Sequence, residues 1–166
     1  TDISNEISLN SIMSKISDIG PVNYILFCQR YRGSEDSWKG ELDVSVNASR
    51  IIIEYFTDKF SNNDNSIVFV SSVFAEFVGT GQPLSYQLGK SSMNSLMRFY
   101  AVNLGSQGIR SNSVSPFTFI KEESKSYYES QKKLLKMYKK IVPLERVGST
   151  DEISDVLLFL CSKQSR

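Results

Sequence analysis

Apolar residues along this chain follow two rhythms, one of long helical stripes and one of short unbroken runs. From residue 3 to 19, Ile7, Ile12, Ile16 and Ile19 recur at intervals of three to five, which predicts a helix that Gly20-Pro21 ends. Residues 22–28, Val-Asn-Tyr-Ile-Leu-Phe-Cys, form a short apolar run and predict a strand buried on both faces. A polar loop over residues 30–36 follows. Residues 38–60 return to helical spacing through Leu42, Val46, Ile51, Ile52, Tyr55 and Phe56, until the run 61–65, Ser-Asn-Asn-Asp-Asn, breaks the pattern. Residues 66–72 are the clearest strand. A looser stretch with Gly79 and Gly81 leads to Pro83, and residues 85–104 predict a helix that Gly105 is placed to stop. A third strand is expected over 109–116, a lysine-rich amphipathic helix over 121–141, and a last helix over 152–161 behind the capping box Ser149-Thr150-Asp151-Glu152.

Strands that alternate with long helices imply an α/β fold, a parallel sheet with helices on both faces. Ligands in such sheets bind beyond the carboxyl ends of the strands. The segments placed there are 29–32, 71–74 and 115–120. No repeat and no low-complexity segment interrupts the pattern, so a single domain over 1–166 is expected.

Composition narrows the chemistry. The 166 residues suffice for one hydrophobic core, and a formal net charge of +1 gives no electrostatic reason to expect nucleic acid or an anionic membrane as partner. No apolar run approaches a membrane span, and the start Thr-Asp-Ile-Ser is not a signal peptide. It lacks an initiator Met, so the chain is expected to begin inside a longer product. A cytoplasmic location, with Cys28 and Cys161 as buried reduced thiols, fits these features. There is no histidine. Ser-His-Asp triads, Cys-His dyads and the usual zinc sets are excluded, and no metal site is expected. Acid/base work then falls to Tyr, Lys, Cys or carboxylates.

Tyr86 and Lys90 stand four apart near the start of a predicted helix and share one face. A free tyrosine, with a pKa of about 10, is a poor proton donor at neutral pH, and a neighbouring ammonium stabilises its phenolate. Spacing alone is weak evidence, because Tyr55 with Lys59 and Tyr128 with Lys132 repeat it; those read as ordinary helix-surface pairs. Context distinguishes Tyr86. It follows a buried strand ending in Ser71-Ser72 and a glycine-containing loop, so a serine and a tyrosine hydroxyl are delivered to one end of the sheet.

Ser71-Ser72 followed by Ser85-Tyr86-Gln87-Leu88-Gly89-Lys90 resembles the short-chain dehydrogenase/reductase family. The likeness extends to Val46-Asn47-Ala48, to Tyr100-Ala101-Val102-Asn103-Leu104, to the stretch from Gly108 through Arg110-Ser111-Asn112 to Ser115-Pro116, and to Pro143-Leu144-Glu145-Arg146-Val147-Gly148 with Asp151-Glu152-Ile153 behind it. The resemblance implies a Rossmann-like, doubly wound sheet. It implies an oxidoreductase that interconverts a carbonyl and a secondary alcohol by hydride transfer with NAD or NADP. By resemblance, Tyr86 is the general acid/base, and Lys90 stabilises its phenolate and holds the nicotinamide ribose. Ser72 orients the substrate oxygen, with Ser71 as the alternative, and Asn47 holds a water in a proton relay. Asp2 lies near the adenine, or else caps the first helix in competition with Ser4. Pro116, Phe117 and Phe119 line the nicotinamide end. Residues 118–142 form a lid over a small-molecule substrate, and the long helices carry a homodimer or homotetramer.

The chain also departs from the family pattern. The glycine-rich phosphate loop is missing, and Gly79-Thr80-Gly81 follows the wrong strand. The family's first strands and its last strand have no counterpart. Phe27-Cys28-Gln29-Arg30 stands where Asn-Asn-Ala-Gly is usual, and Pro116-Phe117 where Pro-Gly is usual. Arg30 and Arg32 either contact an anionic substrate or cofactor phosphate, or belong to a solvated loop. These changes motivate the alternative of a catalytically inactive binding or assembly module.

Overall fold

The computed structural model describes residues 2–34, 36–61, 64–79 and 81–166. Thr1, Glu35 of the polar loop, Asn62-Asn63 of the helix break and Thr80 between its two glycines lie outside the described residues. The main sheet has three parallel strands in the order β1 (Tyr24–Phe27), β2 (Asn65–Val70), β3 (Ile109–Val114). Their register pairs Tyr24 with Ser66 and Phe27 with Phe69, and Phe69 with Ser113. Parallel neighbours need long crossovers, and helices provide them. α1 (Glu6–Ile19) precedes β1. A continuous helical stretch joins β1 to β2 through α2 (Ser37–Leu42), a π-helical turn (Asp43–Asn47) and α3 (Ala48–Phe56). α4 (Leu84–Leu104) joins β2 to β3.

Alternation along the strands separates two layers. Ile25, Phe27, Ile67, Phe69 and Ile109 point into one core with Leu9 and Met13 of α1, Ile53 and Phe56 of α3, and Met93 and Leu104 of α4. The rings of Phe27 and Phe69 stack at 4.8 Å. On the opposite face lies α7 (Thr150–Cys161), where Ser66 Oγ donates to the carbonyl of Leu160 at 3.0 Å. α7 covers β2 and β3 but not β1. That explains a correction: β1 is not buried on both faces, because Tyr24 and Leu26, each 43% exposed, alternate with buried Ile25 and Phe27.

Other boundaries moved for identifiable reasons. Asn5, not Asp2 or Ser4, caps α1, accepting from the Ser8 amide at 3.0 Å. α4 ends at Leu104 with Gly105 as its C-cap, as expected, but Gly105 stays right-handed; the chain tightens into a 3₁₀ turn, and it is Gly108 that takes the left-handed conformation, with φ 76°. The expected helix over 121–141 is two helices, α5 (Lys125–Ser130) and α6 (Lys132–Ile141), parted where Gln131 leaves helical geometry. Periodicity gave no sign of the small parallel pair β4 (Phe119–Ile120) and β5 (Gly148–Ser149). Ser149 and Glu152 do form the expected capping box on α7.

Candidate active site

The carboxyl ends of β1, β2 and β3 open into one cleft of about 500 Å³. Three connections shape it. After β1 come Cys28, Gln29, Arg30 and Arg32; after β2 come Ser71 to Phe74; after β3 come Pro116 to Phe119. The parallel ladder continues past the strands, since the Ser71 amide donates to Val114 O at 2.8 Å and the Val73 amide to Pro116 O at 3.1 Å. Ser72 therefore stands beside Pro116 at the cleft floor. The first turns of α4 bring Tyr86 and Lys90 to the same cleft, and Lys121, Ser124, Tyr127 and Tyr128 close the far side.

The two serines differ in how they are used. Ser71 Oγ donates to the carbonyl of Lys90 at 2.9 Å and so ties β2 to α4. Ser72 Oγ accepts from the Phe74 amide at 3.2 Å, starting a 3₁₀ turn, and keeps its own hydroxyl proton for another acceptor. Both are buried, yet Ser72 alone retains a donor to offer a ligand.

Lys90 is 4% exposed. Its ammonium donates to Val70 O at 2.7 Å and Gln29 O at 3.3 Å, with Met93 Sδ at 3.5 Å. Two of these acceptors stand at the ends of β2 and β1 and the third on α4 itself, and Nζ lies 6.0 Å from the centre of the Tyr86 ring. Burial pushes the Lys90 pKa down to about 8, against the pull of Glu41 and Cys28; Arg30 and Lys121 add to the lowering. Tyr86 is half-buried, and the Arg30 guanidinium lies 4.3 Å from its ring centre. Arg30 Nη2 also donates to Gln82 Oε1 at 3.1 Å.

Of the residues expected at the site, Tyr86, Lys90, Ser72, Pro116, Phe117 and Phe119 meet at this cleft. Phe117 is locked edge-on against Tyr138 of α6 at 5.3 Å. Asp2 lies in an adjoining hollow that shares Gln29, Arg30 and Arg32 with the cleft. Its carboxylate accepts from the Ser4 hydroxyl at 2.7 Å and the Ser4 amide at 2.9 Å, and these bonds hold its pKa below the usual range. Asn47 is not brought in. It is exposed on the outer side of its helix, and its amide donates to Asp43 Oδ1 at 3.0 Å. Cys28 also differs from expectation: it is exposed at the cleft, while Cys161 is buried.

The inward side of that helix carries polar residues which apolar periodicity passes over. Glu41, Ser45 and Ser49 are 3%, 0% and 0% exposed. Ser45 Oγ donates to Glu41 Oε1 at 2.5 Å, and Gln29 Nε2 donates to Ser49 Oγ at 2.9 Å and to Val44 O at 3.2 Å. The signal was their spacing of four. A polar stripe at that interval ordinarily reads as a solvated face; here it is buried and satisfied by hydrogen bonds. Among the described residues, no cluster of three or more Cys, Asp or Glu is suited to a metal ion, and no helix is long and apolar enough to cross a membrane.

Comparison with known proteins places the chain in a family and a fold. Residues 8–166 match the family model described as enoyl-(acyl carrier protein) reductase. A tropinone reductase homolog of Arabidopsis thaliana is 40% identical over 101 residues, 61% of this chain and 37% of that protein. A 3-oxoacyl-[acyl-carrier-protein] reductase of Thermotoga maritima is 28% identical over 138 residues, 81% of this chain and 53% of that protein. The chain spans about a third to a half of the length of these curated relatives. Among solved structures, 4-hydroxyisoleucine dehydrogenase complexed with NADH superposes with a TM-score of 0.88 at 24% identity, over 99% of this chain and 71% of that one.

Proposed function

This chain belongs to the short-chain dehydrogenase/reductase family, and from that premise we propose that the protein interconverts a carbonyl and a secondary alcohol using NAD or NADP, with Tyr86 moving the proton. The observation that carries this reading is the convergence of Tyr86, Ser72 and Lys90 on one cleft at the carboxyl edge of a parallel sheet.

The lining suits the nicotinamide half of a dinucleotide. Phe117 and Phe119 offer aromatic walls to a flat ring, and Tyr86 with Lys90 offers donors to a ribose. Asp2 would meet the adenine end; its position in the hollow that shares Gln29, Arg30 and Arg32 with the cleft supports this reading. Lys90 would reach a ribose by giving up its weaker acceptors, Met93 Sδ and Gln29 O, while keeping Val70 O. When bound, the nicotinamide supplies or takes up the hydride.

This chain's own groups do the rest. The Ser72 hydroxyl donates to the substrate oxygen and holds it beside Tyr86. In reduction the Tyr86 hydroxyl gives that oxygen its proton, and in oxidation the phenolate takes it back. The Lys90 ammonium, whose Nζ lies 6.0 Å from the ring centre, would stabilise the negative phenolate. Residues 118–142 act as the lid that selects the substrate, through Tyr127 and Tyr128.

Replacing Tyr86 with Phe in the full-length protein tests the assignment. A positioned acid/base contributes roughly 10²- to 10⁴-fold. Turnover of a ketone panel with NADH or NADPH should fall by that factor with the thermal unfolding curve unchanged. Near-normal turnover in Tyr86→Phe would sink the role of Tyr86.

A further inference from the structure

We propose that Arg30 binds an anionic group of the substrate, so that the reacting carbonyl compound carries a carboxylate within a few bonds of its carbonyl carbon. This rests on the reading of Tyr86 as the proton donor and adds the substrate's chemical class to it.

The geometry of Arg30 is that of a held, unspent cation. Its guanidinium is anchored twice beside the start of α4, over the Tyr86 ring at 4.3 Å and on Gln82 Oε1 at 3.1 Å. Both anchors come from the segment that enters α4, more than 50 residues away in sequence. Two anchors reduce the ordering entropy lost when a ligand binds. Guanidinium has five N–H donors in a rigid fork, and Gln82 takes one of them, which leaves donors for two-point recognition of a carboxylate.

Charge supports the same conclusion. Among the described residues, neither Arg30 nor Arg32 has a carboxylate at ion-pair distance. On the opposite rim Lys121 is met at 3.9 Å by Glu123, the one carboxylate lining the cleft among the described residues. Among the described residues, the Arg30 side of the cleft mouth thus carries positive charge with no carboxylate at ion-pair distance, Asp2 lying in the adjoining hollow. Low-dielectric walls focus such a field on an entering anion. An arginine serving only as a strap between two loops would not need to lie against the tyrosine that handles the substrate oxygen. Because it does, an anion on Arg30 and an oxygen at Tyr86 fit within one small molecule. A phosphate of the dinucleotide shares the same chemistry, and the experiment separates the two sources.

The test uses the full-length protein and two pairs of probes, acetoacetate with methyl acetoacetate and pyruvate with methyl pyruvate. Binding is followed by titration calorimetry, independently of turnover, in the parent, Arg30→Gln and Arg30→Lys. At least one acid should bind the parent tenfold or more tighter than its ester. In Arg30→Gln that ratio should collapse to near one, with Arg30→Lys between the two. Circular dichroism checks that each variant is folded. Three results overturn the proposal: equal binding of acid and ester, no measurable binding of any probe, or a preference that survives in Arg30→Gln. A tenfold loss of NADH or NADPH affinity in Arg30→Gln, with the acid-to-ester ratio intact, overturns it in favour of a cofactor phosphate. Failure of the oxidoreductase reading looks different, as an absence of turnover with every ketone whatever the acid preference in binding.

Discussion

At the scale of single residues, the site is set by how each polar group is already employed. Ser71 and Ser72 are adjacent and both buried, yet Ser71 spends its proton on the Lys90 carbonyl while Ser72 keeps its own. Sequence placed both at the right strand end and left the choice open, because hydroxyl direction depends on contacts with α4. Lys90 shows the cost of burying a charge. Its pKa is about 8 in the folded chain against 10.5 for a free lysine. The folded state therefore carries the full penalty of the ammonium below about pH 8, where both states are protonated. Between about 8 and 10.5 the unfolded chain binds more protons, so the stability contribution rises with pH. The gain is at most about 3 kcal/mol. Urea denaturation at pH 7, 9 and 10 should give the parent a rise relative to Lys90→Met. Parallel pH profiles would rule out a depressed Lys90.

At the scale of elements, the packing of α2 against α4 decides what the helices present. Glu41 lies directly on Gly89, where an added Cβ would stand 2.9 Å from Glu41 Cγ and 3.2 Å from its Oε1. Gly89 adjoins Lys90, so this contact fixes both the Ser45–Glu41 hydrogen bond and the depth of the lysine. Gly89→Ala should destabilise the protein by about 1–3 kcal/mol, as overpacking commonly does; an unchanged urea midpoint would show that α2 moves aside freely. The π-helical turn also explains Asn47. Gln29 reaches in to satisfy Val44 O, and the extra residue in the turn goes with Glu41, Ser45 and Ser49 inward and Asn47 outward. Apolar spacing cannot reveal such a turn. The repeated Tyr-Lys spacing at 55 and 59 does pair, with Nζ 3.1 Å from the ring centre, but Tyr55 is partly buried against the core and Lys59 lies in the 3₁₀ turn after α3 rather than on a helix surface.

At the scale of the whole molecule, protection is concentrated at the centre of the sheet. β2 is hydrogen-bonded on both sides and covered on both faces, with Ile67, Val68 and Phe69 all 0% exposed. β1 has one uncovered face. Amide hydrogen exchange should therefore be slowest at residues 67–69 and faster at Tyr24 and Leu26, because local opening needs less buried surface to be released there. Equal protection in the full-length protein would mean that something further covers β1. The sequence by itself determined the α/β class, the three strands, the long helices, and the delivery of Tyr86, Lys90 and a serine to one sheet edge. Those follow from apolar periodicity and chain order, which are local properties. Only the tertiary structure decided that Ser72 keeps its proton, that Asn47 faces away, and that Arg30 lies against the Tyr86 ring. Each of these depends on contacts between elements far apart in sequence, which no local pattern records.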